Sequence, residues 1–334
     1  MSTKLPREPR QVAICLHPGA EMLDVTGPMD VFATANRILV EAGRVSGPRD
    51  PAEGPAYRLQ TVAVSAAPLR LLGGLQVLPD RAFAEFAEGI DTVVVPGGPH
   101  TREHMGPQIE WLHRMESSVR RIASVCTGAF VLAEAGLLDD RRATTHWESC
   151  DRLARSYPRI RLERDALYVK HEHVYTSAGI TAGIDLCLAL VEEDLGRDLA
   201  LAVARELVVF FKRPGGQSQF SAHLLSQMVE PGPIADLMEW IVENLDRDLR
   251  VELLAERVAM SPRHFARVFT REVGETPARF VELARLDAAR RLLTDSADSL
   301  EQVAARSGFQ NAEQLRRSFR RHLSVTPREY RRLH

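Results

Sequence analysis

The last third of the sequence contains an internal repeat with an offset of 50 residues. Each copy has the pattern of a short helix, a tight turn and a second helix that is followed by a Thr-Pro stop. A helix-turn-helix unit of this kind places its second helix in the DNA major groove. The repeat therefore predicts an all-α domain with a double helix-turn-helix. The matching pairs are Phe265 and Leu315, Arg267 and Arg317, Phe269 and Phe319, Thr276-Pro277 and Thr326-Pro327, and Phe280 and Tyr330.

Apolar residues at spacings of three and four predict helices throughout this part of the chain. Ser261 and Asn311 each stand just before a helical stretch, where an N-cap is expected. The predicted helices cover residues 234–245, 251–259, 262–273, 277–294, 299–307 and 311–323.

The second helix of each copy is predicted to bury one stripe of side chains and to expose the stripe on its opposite face. The buried stripes consist of Phe265, Val268 and Phe269, and of Leu315, Phe319 and Leu323. Arginine suits guanine edges, and asparagine or glutamine suits adenine, so the exposed stripes favour base reading. For either helix taken alone, a solvated surface helix remains the alternative interpretation. The duplication of the whole helix-turn-helix unit favours DNA binding. The predicted base-reading residues are Arg263, Arg267, Arg271, Asn311, Gln314, Arg317 and Arg321, and Arg316 and Arg320 are assigned to phosphates.

The segment from Leu249 to Tyr330, including its ending SVTPREYR, resembles the DNA-binding domain of AraC/XylS-type transcription factors. The resemblance covers roughly 80 residues and extends to the order and spacing of the two helix-turn-helix units and to the ends of the domain. It implies double-stranded promoter DNA as a partner, with RNA polymerase as a further expected partner. From Asn311 to the end, seven Arg against two Glu suit a surface that meets phosphates.

Residues 11–196 alternate short β-branched runs with longer amphipathic stretches. This alternation predicts an α/β sandwich with a mostly parallel sheet that helices cover on both faces, a flavodoxin-like arrangement. The predicted strands are QVAICLH, YRLQTVAV, GLQVLPD, DTVVVPGG, RIASVC, RRATTHW and HVYTSAG, and the predicted helices cover 28–42, 109–120, 128–135 and 181–195.

Pro and Gly clusters at RPGG and EPGP separate the two patterns. We therefore predict a ligand-sensing domain at 11–212, a linker at 213–233 and a DNA-binding domain at 234–334. A chain of 334 residues with 45% apolar and 26% charged content is long enough for two folded domains, and this composition excludes disordered and collagen-like classes. No apolar run approaches the roughly 18 residues of a membrane span, and the start of the sequence lacks a secretory pattern, so a soluble cytoplasmic protein without a membrane partner is expected.

Cys126 follows the strand RIASV and precedes a helical stretch. At such a strand-to-helix turn the backbone is strained and the thiol is exposed. The thiol also lies near amides of the helix N-terminus, which stabilise a thiolate. The alternative is a small buried apolar residue, which is also the interpretation of Cys15, Cys150 and Cys187. The four cysteines lack CxxC spacing, which argues against a disulfide framework and structural zinc.

Further polar groups are expected to meet Cys126 at the carboxyl edge of the sheet, where ligands usually bind. Asp24 is predicted in a loop after the first strand, and the Gly97 and Gly98 amides end another strand, where they face an anion or a carbonyl oxygen. His146 follows the strand ATT. We expect these residues, with Thr127, to form a ligand pocket.

Five segments in this order resemble the ThiJ/PfpI superfamily over residues 11–196: PMDVF, VVVPGG, SVCTGA, TTHW and TSAGITAGIDL. Peptidases of that superfamily have His directly after the nucleophilic cysteine, but this chain has Thr127 there, so the peptidase dyad is missing. With Thr127 after the cysteine and Asp24 in place of a glutamate, the chain resembles the isonitrile hydratase branch and the GlxA-type regulators. These regulators join this domain to an AraC-type one. The resemblance implies a homodimeric regulator without cofactor or turnover, and an amino acid or a quaternary amine as its effector.

Two other functions remain open. The first is a hydratase or amidase with Cys126 as nucleophile and Asp24 moving protons, with an accessory DNA-binding domain. The second is a helix-turn-helix part that contacts only a protein partner. His171 and His173 share one face of a predicted strand, but no third metal ligand is nearby, so no metal site is predicted.

Overall fold

The computed structural model describes residues 6, 8–43, 50–85, 89–99, 101, 105–211, 232–323 and 326–333. The chain divides into two compact units, residues 1–213 and 214–334. The linker predicted at 213–233 lies almost wholly outside the described residues, so this boundary stays a prediction.

A seven-stranded sheet forms the centre of the first unit, with the strand order β10-β11-β7-β6-β1-β2-β5. All neighbouring strands are parallel except β10 and β11, as the sequence predicts. Both neighbours of β1 run parallel to it, and the chain changes direction there, so the carboxyl edge has a crevice beside β1. The strands are β1 (Arg10–Cys15), β2 (Tyr57–Ala63), β3 (Leu69–Arg70), β4 (Gln76–Val77), β5 (Arg81–Ala82), β6 (Ile90–Val95), β7 (Arg121–Ser124), β8 (Arg142–Ala143), β9 (Arg161–Leu162), β10 (Tyr168–His171) and β11 (Val174–Ser177).

Helices cover both faces of this sheet, which explains the continuous apolar runs of its strands. Along β1, Val12 and Ile14 pack among α1, α5 and α6, and Ala13 and Cys15 pack among α2 and α3. The helices are α1 (Met22–Glu41), α2 (Gly106–Glu116), α3 (Ala129–Glu134), α4 (Cys150–Ser156), α5 (Ala182–Leu195) and α6 (Arg197–Glu206).

The first helix begins six residues earlier than predicted. In the sequence, Pro28 suggests the first residue of a helix, because an N–H at that position would have no hydrogen-bond partner within the helix. In the structure Pro28 lies inside α1, and Asp24 belongs to the first turn of that helix. The prediction that Asp24 occupies a loop is therefore wrong.

The second unit is helical throughout the residues that the structure describes. It has two separate cores, one around Phe265, Phe269 and Phe280 and one around Phe319 and Tyr330. Helix α10, the longest of the described helices of this unit, contributes side chains to both cores and so joins the two halves. The helices are α7 (Pro233–Glu243), α8 (Val251–Arg257), α9 (Pro262–Val273), α10 (Pro277–Asp295), α11 (Leu300–Arg306), α12 (Ala312–Leu323) and α13 (Pro327–Leu333).

The sequence repeat is also a repeat in space. The rings of Phe269 and Phe280 meet edge to face at 5.7 Å, and those of Phe319 and Tyr330 do so at 5.6 Å. These pairs are related by the offset of 50 residues, so each half closes its core with the same aromatic contact. Edge-to-face pairs of this kind add about 0.5–1.5 kcal/mol beyond the apolar area that they bury.

Each Thr-Pro pair follows one helix and also starts the next helix. Thr276 Oγ1 accepts a hydrogen bond from the Arg279 amide and caps α10. Thr326 Oγ1 accepts one from the Glu329 amide, and the Glu329 carboxylate accepts one from the Thr326 amide, which is a capping box. The interpretation of the second pair as a stop misses helix α13, although Pro327 at its first position was the available signal.

No helix of the described part of the chain is both long and apolar enough to cross a bilayer.

Candidate functional site

Cys126 lies at the sharp turn between β7 and α3, as predicted, but the expectation that its thiol is exposed there is wrong, because the side chain is buried. Its φ of 56° is in the left-handed region, which a side-chain-bearing residue rarely adopts. Two hydrogen bonds hold this backbone: the Cys126 amide donates to Ala178 O at 3.0 Å, and Thr145 Oγ1 donates to the Cys126 carbonyl at 2.9 Å. The neighbouring segments therefore over-determine a strained conformation, which is a common feature of functional sites.

The Cys126 thiol is protonated at neutral pH. Burial, with a smaller contribution from the charge of the nearby Asp24 carboxylate, raises its pKa to about 12. Hydrogen bonds from the Ile180 and Thr127 amides lower the pKa, but they do not outweigh burial. The expectation that helix amides hold a thiolate here is therefore wrong, since the low-dielectric surroundings disfavour the charge more than the amides favour it.

Asp24 is completely buried in the first turn of α1. Its Oδ2 accepts a hydrogen bond from the Gly97 amide at 2.8 Å, and its Oδ1 has no partner among the described residues. Burial raises the pKa of Asp24 to about 7, the Gly97 amide lowers it in part, and the charge of Glu21 raises it. Asp24 therefore changes charge near neutral pH, and its Oδ1 is a buried acceptor without a partner among the described residues.

The amides of Gly97 and Gly98 are used inside the protein. Gly97 donates to Asp24, and Gly98 donates to Thr127 Oγ1 at 2.9 Å, while Thr127 Oγ1 approaches the Gly98 carbonyl at 3.1 Å. The expectation that both amides face an anion or a carbonyl oxygen is therefore wrong. Instead they fix Asp24 and Thr127 beside Cys126. Glycine is required at 97, because a Cβ there would lie 2.6 Å from the Thr127 amide nitrogen.

His146 lies at the same edge of the sheet. Its Nδ1 accepts a hydrogen bond from the Glu148 amide at 3.3 Å, and its ring lies so close to Gly179 that a Cβ there would approach Cδ2 to 2.3 Å. Burial lowers its pKa, and the charge of Glu148 raises it in part. The structure thus brings all six predicted pocket residues to one region, with Thr145 joining the His146 segment to Cys126.

The sequence interpretation missed exposed apolar and acidic side chains that adjoin these residues along the chain, which we call the rim. Trp147 is 53% exposed beside the His146 ring, and Met22 is 39% exposed at the start of α1. Glu148 adds an exposed carboxylate. The one signal for Trp147 was an aromatic residue directly after a predicted site residue.

The predicted recognition helices expose their arginines. Arg263, Arg267 and Arg271 are exposed on α9, and its apolar stripe is buried. Arg267 contacts the His264 ring at 3.2 Å, and Arg271 pairs with Glu272 at 3.1 Å. Both contacts are exposed and stay on the same helix, so they leave the arginine face open to solvent.

Helix α12 presents the equivalent face. Arg317, Arg320 and Arg321 are exposed, whereas Arg316 is half-buried and pairs with Glu313 at 3.3 Å. Leu315 and Phe319 are buried, and Leu323 is half-buried against the same core.

Asn311 and Gln314 cap helix α12. Asn311 Oδ1 accepts from the Gln314 amide and Gln314 Oε1 accepts from the Gln310 amide, both at 2.8 Å. Bidentate recognition of adenine needs the side-chain oxygen as well as the nitrogen. In these two residues the capping bond therefore occupies one of the two lone pairs of the oxygen and fixes the orientation of the side chain.

His171 and His173 do not share a strand face. His171 ends β10, and Glu172 and His173 form the hairpin turn before β11, with a φ of 56° at Glu172. The described residues include no group of three His, Cys, Asp or Glu side chains that could hold a metal ion.

Comparison with known proteins gives a match to each unit. Residues 10–193 match the DJ-1/PfpI family, and residues 254–333 match a helix-turn-helix domain. The chain is 30% identical to the HTH-type transcriptional regulator CdhR of Pseudomonas aeruginosa, over 93% of this chain and 88% of that protein. It is 32% identical to the HTH-type transcriptional regulator GlxA of Rhizobium meliloti, over 90% and 91% of the two chains.

A solved ThiJ/PfpI family protein from Pseudomonas syringae has the same fold, with a TM-score of 0.51 and 22% identity over 84% of this chain and 93% of that one. The flavodoxin-like parallel sheet, the helical carboxyl part and the two family matches agree with the resemblances in the sequence. The chain therefore belongs to the DJ-1/PfpI family, within the group of HTH-type transcriptional regulators that join this domain to an AraC-type helix-turn-helix domain.

Proposed function

We propose that the chain regulates transcription by binding promoter DNA with α9 and α12 and a small effector in the crevice around Asp24. The observation that carries the proposal is the matched pair of exposed arginine faces on two helices that pack against equivalent cores. Helix α10 has 19 residues and is therefore roughly 28 Å long, close to the roughly 34 Å between successive major grooves. Arg316 and Arg320, beside the outward stripe, are assigned to phosphates.

DNA binding is tested by titrating a duplex selected by the chain from a random pool, at several salt concentrations. If arginines neutralise phosphates, the observed affinity falls steeply as salt rises, because counterions are released on binding. A protein that binds no duplex even at low salt would contradict the proposal and favour a helix-turn-helix part that contacts only a protein partner.

We infer that the effector is an amino acid or a quaternary amine. The rim supports this class, because Trp147 offers an aromatic face, and Glu148 and Glu21 offer negative charge. The lack of a partner for Asp24 Oδ1 among the described residues supports a contact with a polar group of the same molecule. The effector acts through its different affinity for two arrangements of a homodimer, since a ligand shifts an equilibrium only by that difference. Contact with RNA polymerase is a further part of this proposal.

A thermal-shift screen of amino acids, betaines and polyamines identifies the effector. A ligand at a hundredfold excess over its Kd stabilises the folded state by about 2.7 kcal/mol, which raises the Tm by about 5 to 10 °C. Trp147→Ala is expected to remove most of this shift for a quaternary amine, whereas Trp240→Ala in the second unit is expected to leave it unchanged. An equal shift in the wild type and in Trp147→Ala would reject the aromatic contact.

Turnover by Cys126 is the alternative function, and the strained turn next to a carboxyl group with a pKa of about 7 favours it. The raised pKa of the thiol opposes it, because the thiolate is the nucleophile. For a sensor, Cys126→Ser is expected to keep duplex affinity within about twofold and to change effector affinity by about tenfold or less. Hydrolysis or hydration of a nitrile, isonitrile or amide that disappears in Cys126→Ser would establish the enzyme instead.

A further inference from the structure

The two halves of the DNA-binding unit touch at a junction that the helix-turn-helix pattern does not explain. Arg285 lies on α10 between the residues that serve the first core, such as Ala284, and those that serve the second, such as Leu286. Its guanidinium leaves this helix and donates from Nε to Leu245 O at 2.9 Å and from Nη2 to Arg247 O at 2.8 Å. Both carbonyls follow helix α7, which belongs to the first half.

The turn of the second helix-turn-helix closes on the same carbonyl. Gly308 lies directly after α11 and its turn, with a φ of 82°. A Cβ at Gly308 would lie 1.7 Å from Leu245 O and 2.7 Å from Arg285 Nε. Leu245 O is therefore the point where the first half, the joining helix and the second half meet.

Apolar packing alone does not fix the halves at this point. A cavity of about 370 Å³ lies between α10 and α12, and Val281, Glu282, Arg285, Phe309 and Arg317 are among the residues that line it. The two cores are separate clusters. Glu282 joins α10 to α12 across this cavity, through Ser318 at 3.3 Å and His322 at 3.2 Å. The bonds of Arg285 instead join α10 to the end of α7, so they resist a rotation of α10 and its attached second half against the first half.

We propose that Arg285 is a positioning residue that sets the separation and phase of the two recognition helices by clamping α10 to the end of α7 beside Gly308. The inference rests on the proposed DNA-binding function for its biological meaning, but the clamp itself is a property of the free protein. Burial lowers the pKa of Arg285, and the charges of Asp248 and Asp246 raise it in part, which agrees with a half-buried guanidinium that its two carbonyl partners hold.

The test measures the distance between α9 and α12 without DNA. Spin labels are attached to Thr270→Cys and Glu313→Cys, which are exposed positions, whereas the four native cysteines are buried. Full-length labelled protein is diluted with unlabelled chains, and pulsed dipolar spectroscopy reports the distance distribution. The expected result is one narrow distribution for the wild type and a distribution at least twice as broad for Arg285→Ala.

Arg279→Ala is the matched control, because Arg279 lies on the same helix and its ion pair among the described residues is local, with Glu275 just before the start of that helix at 3.1 Å. Its distribution is expected to equal that of the wild type. Arg285→Lys keeps one donor but not the fork, and it is expected to be intermediate. Gly308→Ala opens the junction from the other side and is expected to broaden the distribution even if Arg285→Ala does not fold. A distribution as narrow in the Arg285 and Gly308 variants as in Arg279→Ala would overturn the clamp.

DNA binding provides a second readout. On a duplex selected by the wild type, Arg285→Ala is expected to bind about tenfold more weakly and to lose its preference for the selected spacing over one lengthened by half a helical turn, about 5 bp. A weaker variant that keeps the full spacing preference would also overturn the clamp. If the wild type binds no duplex, the proposed function fails, and the spin-label distances still decide the clamp.

Discussion

Replacement of Arg267 and Arg317 together by alanine is expected to abolish sequence-specific DNA binding. Each arginine occupies the equivalent exposed position on its recognition helix. A base-reading arginine contributes roughly 1 to 3 kcal/mol, and contributions from separate sites add, so the loss is roughly 2 to 6 kcal/mol. That corresponds to a roughly 30-fold to 25,000-fold weaker Kd on the selected duplex. Fluorescence anisotropy with labelled duplex measures this change.

The control for lost positive charge is Arg159→Ala. Arg159 is exposed in the first unit and pairs with Asp139 at 2.9 Å. Its removal is expected to leave DNA affinity within about twofold, because Arg159 is remote from the recognition helices in sequence and its exposed ion pair contributes little to folding stability. Equal losses for the double variant on selected and random duplexes would reassign both arginines to phosphates.

Asp24→Asn is expected to stabilise the first unit above neutral pH. The folded chain holds the Asp24 proton with a pKa of about 7, against 3.8 in a model peptide. Because the folded state binds this proton more tightly than the unfolded chain, wild-type stability falls as pH rises from about 4 to about 7. The loss is at most about 4 kcal/mol at pH 8, and asparagine removes it because it resembles the neutral acid. Urea unfolding at pH 4, 6 and 8 measures the difference.

The expected pattern is no difference between Asp24→Asn and the wild type near pH 4 and a growing advantage of the variant towards pH 8. Asp30→Asn is the matched control, since Asp30 is exposed on the same helix. An Asp24→Asn variant that is less stable than the wild type at pH 8 would show that the carboxylate is the stable form in the crevice.

The helical half of the fold was predictable from the sequence because the repeat, the apolar periodicity and the caps agree. Ser261 and Asn311 accept hydrogen bonds from the amides three residues later, as N-caps do. Local sequence patterns determine these helices, and so their predicted bounds were close to the observed ones. Helix α13 was missed because the helix start at Pro327 was interpreted only as the end of α12.

The candidate site was predictable in its members but not in its electrostatics. The edge of a parallel sheet brings Asp24, Cys126 and His146 together, and the order of the strands is enough to expect that. The use of the Gly97 amide by Asp24, and the burial that keeps the Cys126 thiol protonated, depend on packing between distant segments. No local pattern reports how deeply a side chain is buried or which acceptor reaches an amide first.

Guanine N7 protection is the most direct measurement of the central proposal, that α9 and α12 occupy successive major grooves of one duplex. Dimethyl sulfate methylates guanine N7, which arginine contacts in the major groove. Each bound chain is expected to protect two patches about 10 bp apart on the selected duplex, and Arg317→Ala is expected to expose one of them. A duplex that is bound without any guanine protection, or with protection that both Arg267→Ala and Arg317→Ala leave intact, would contradict the account.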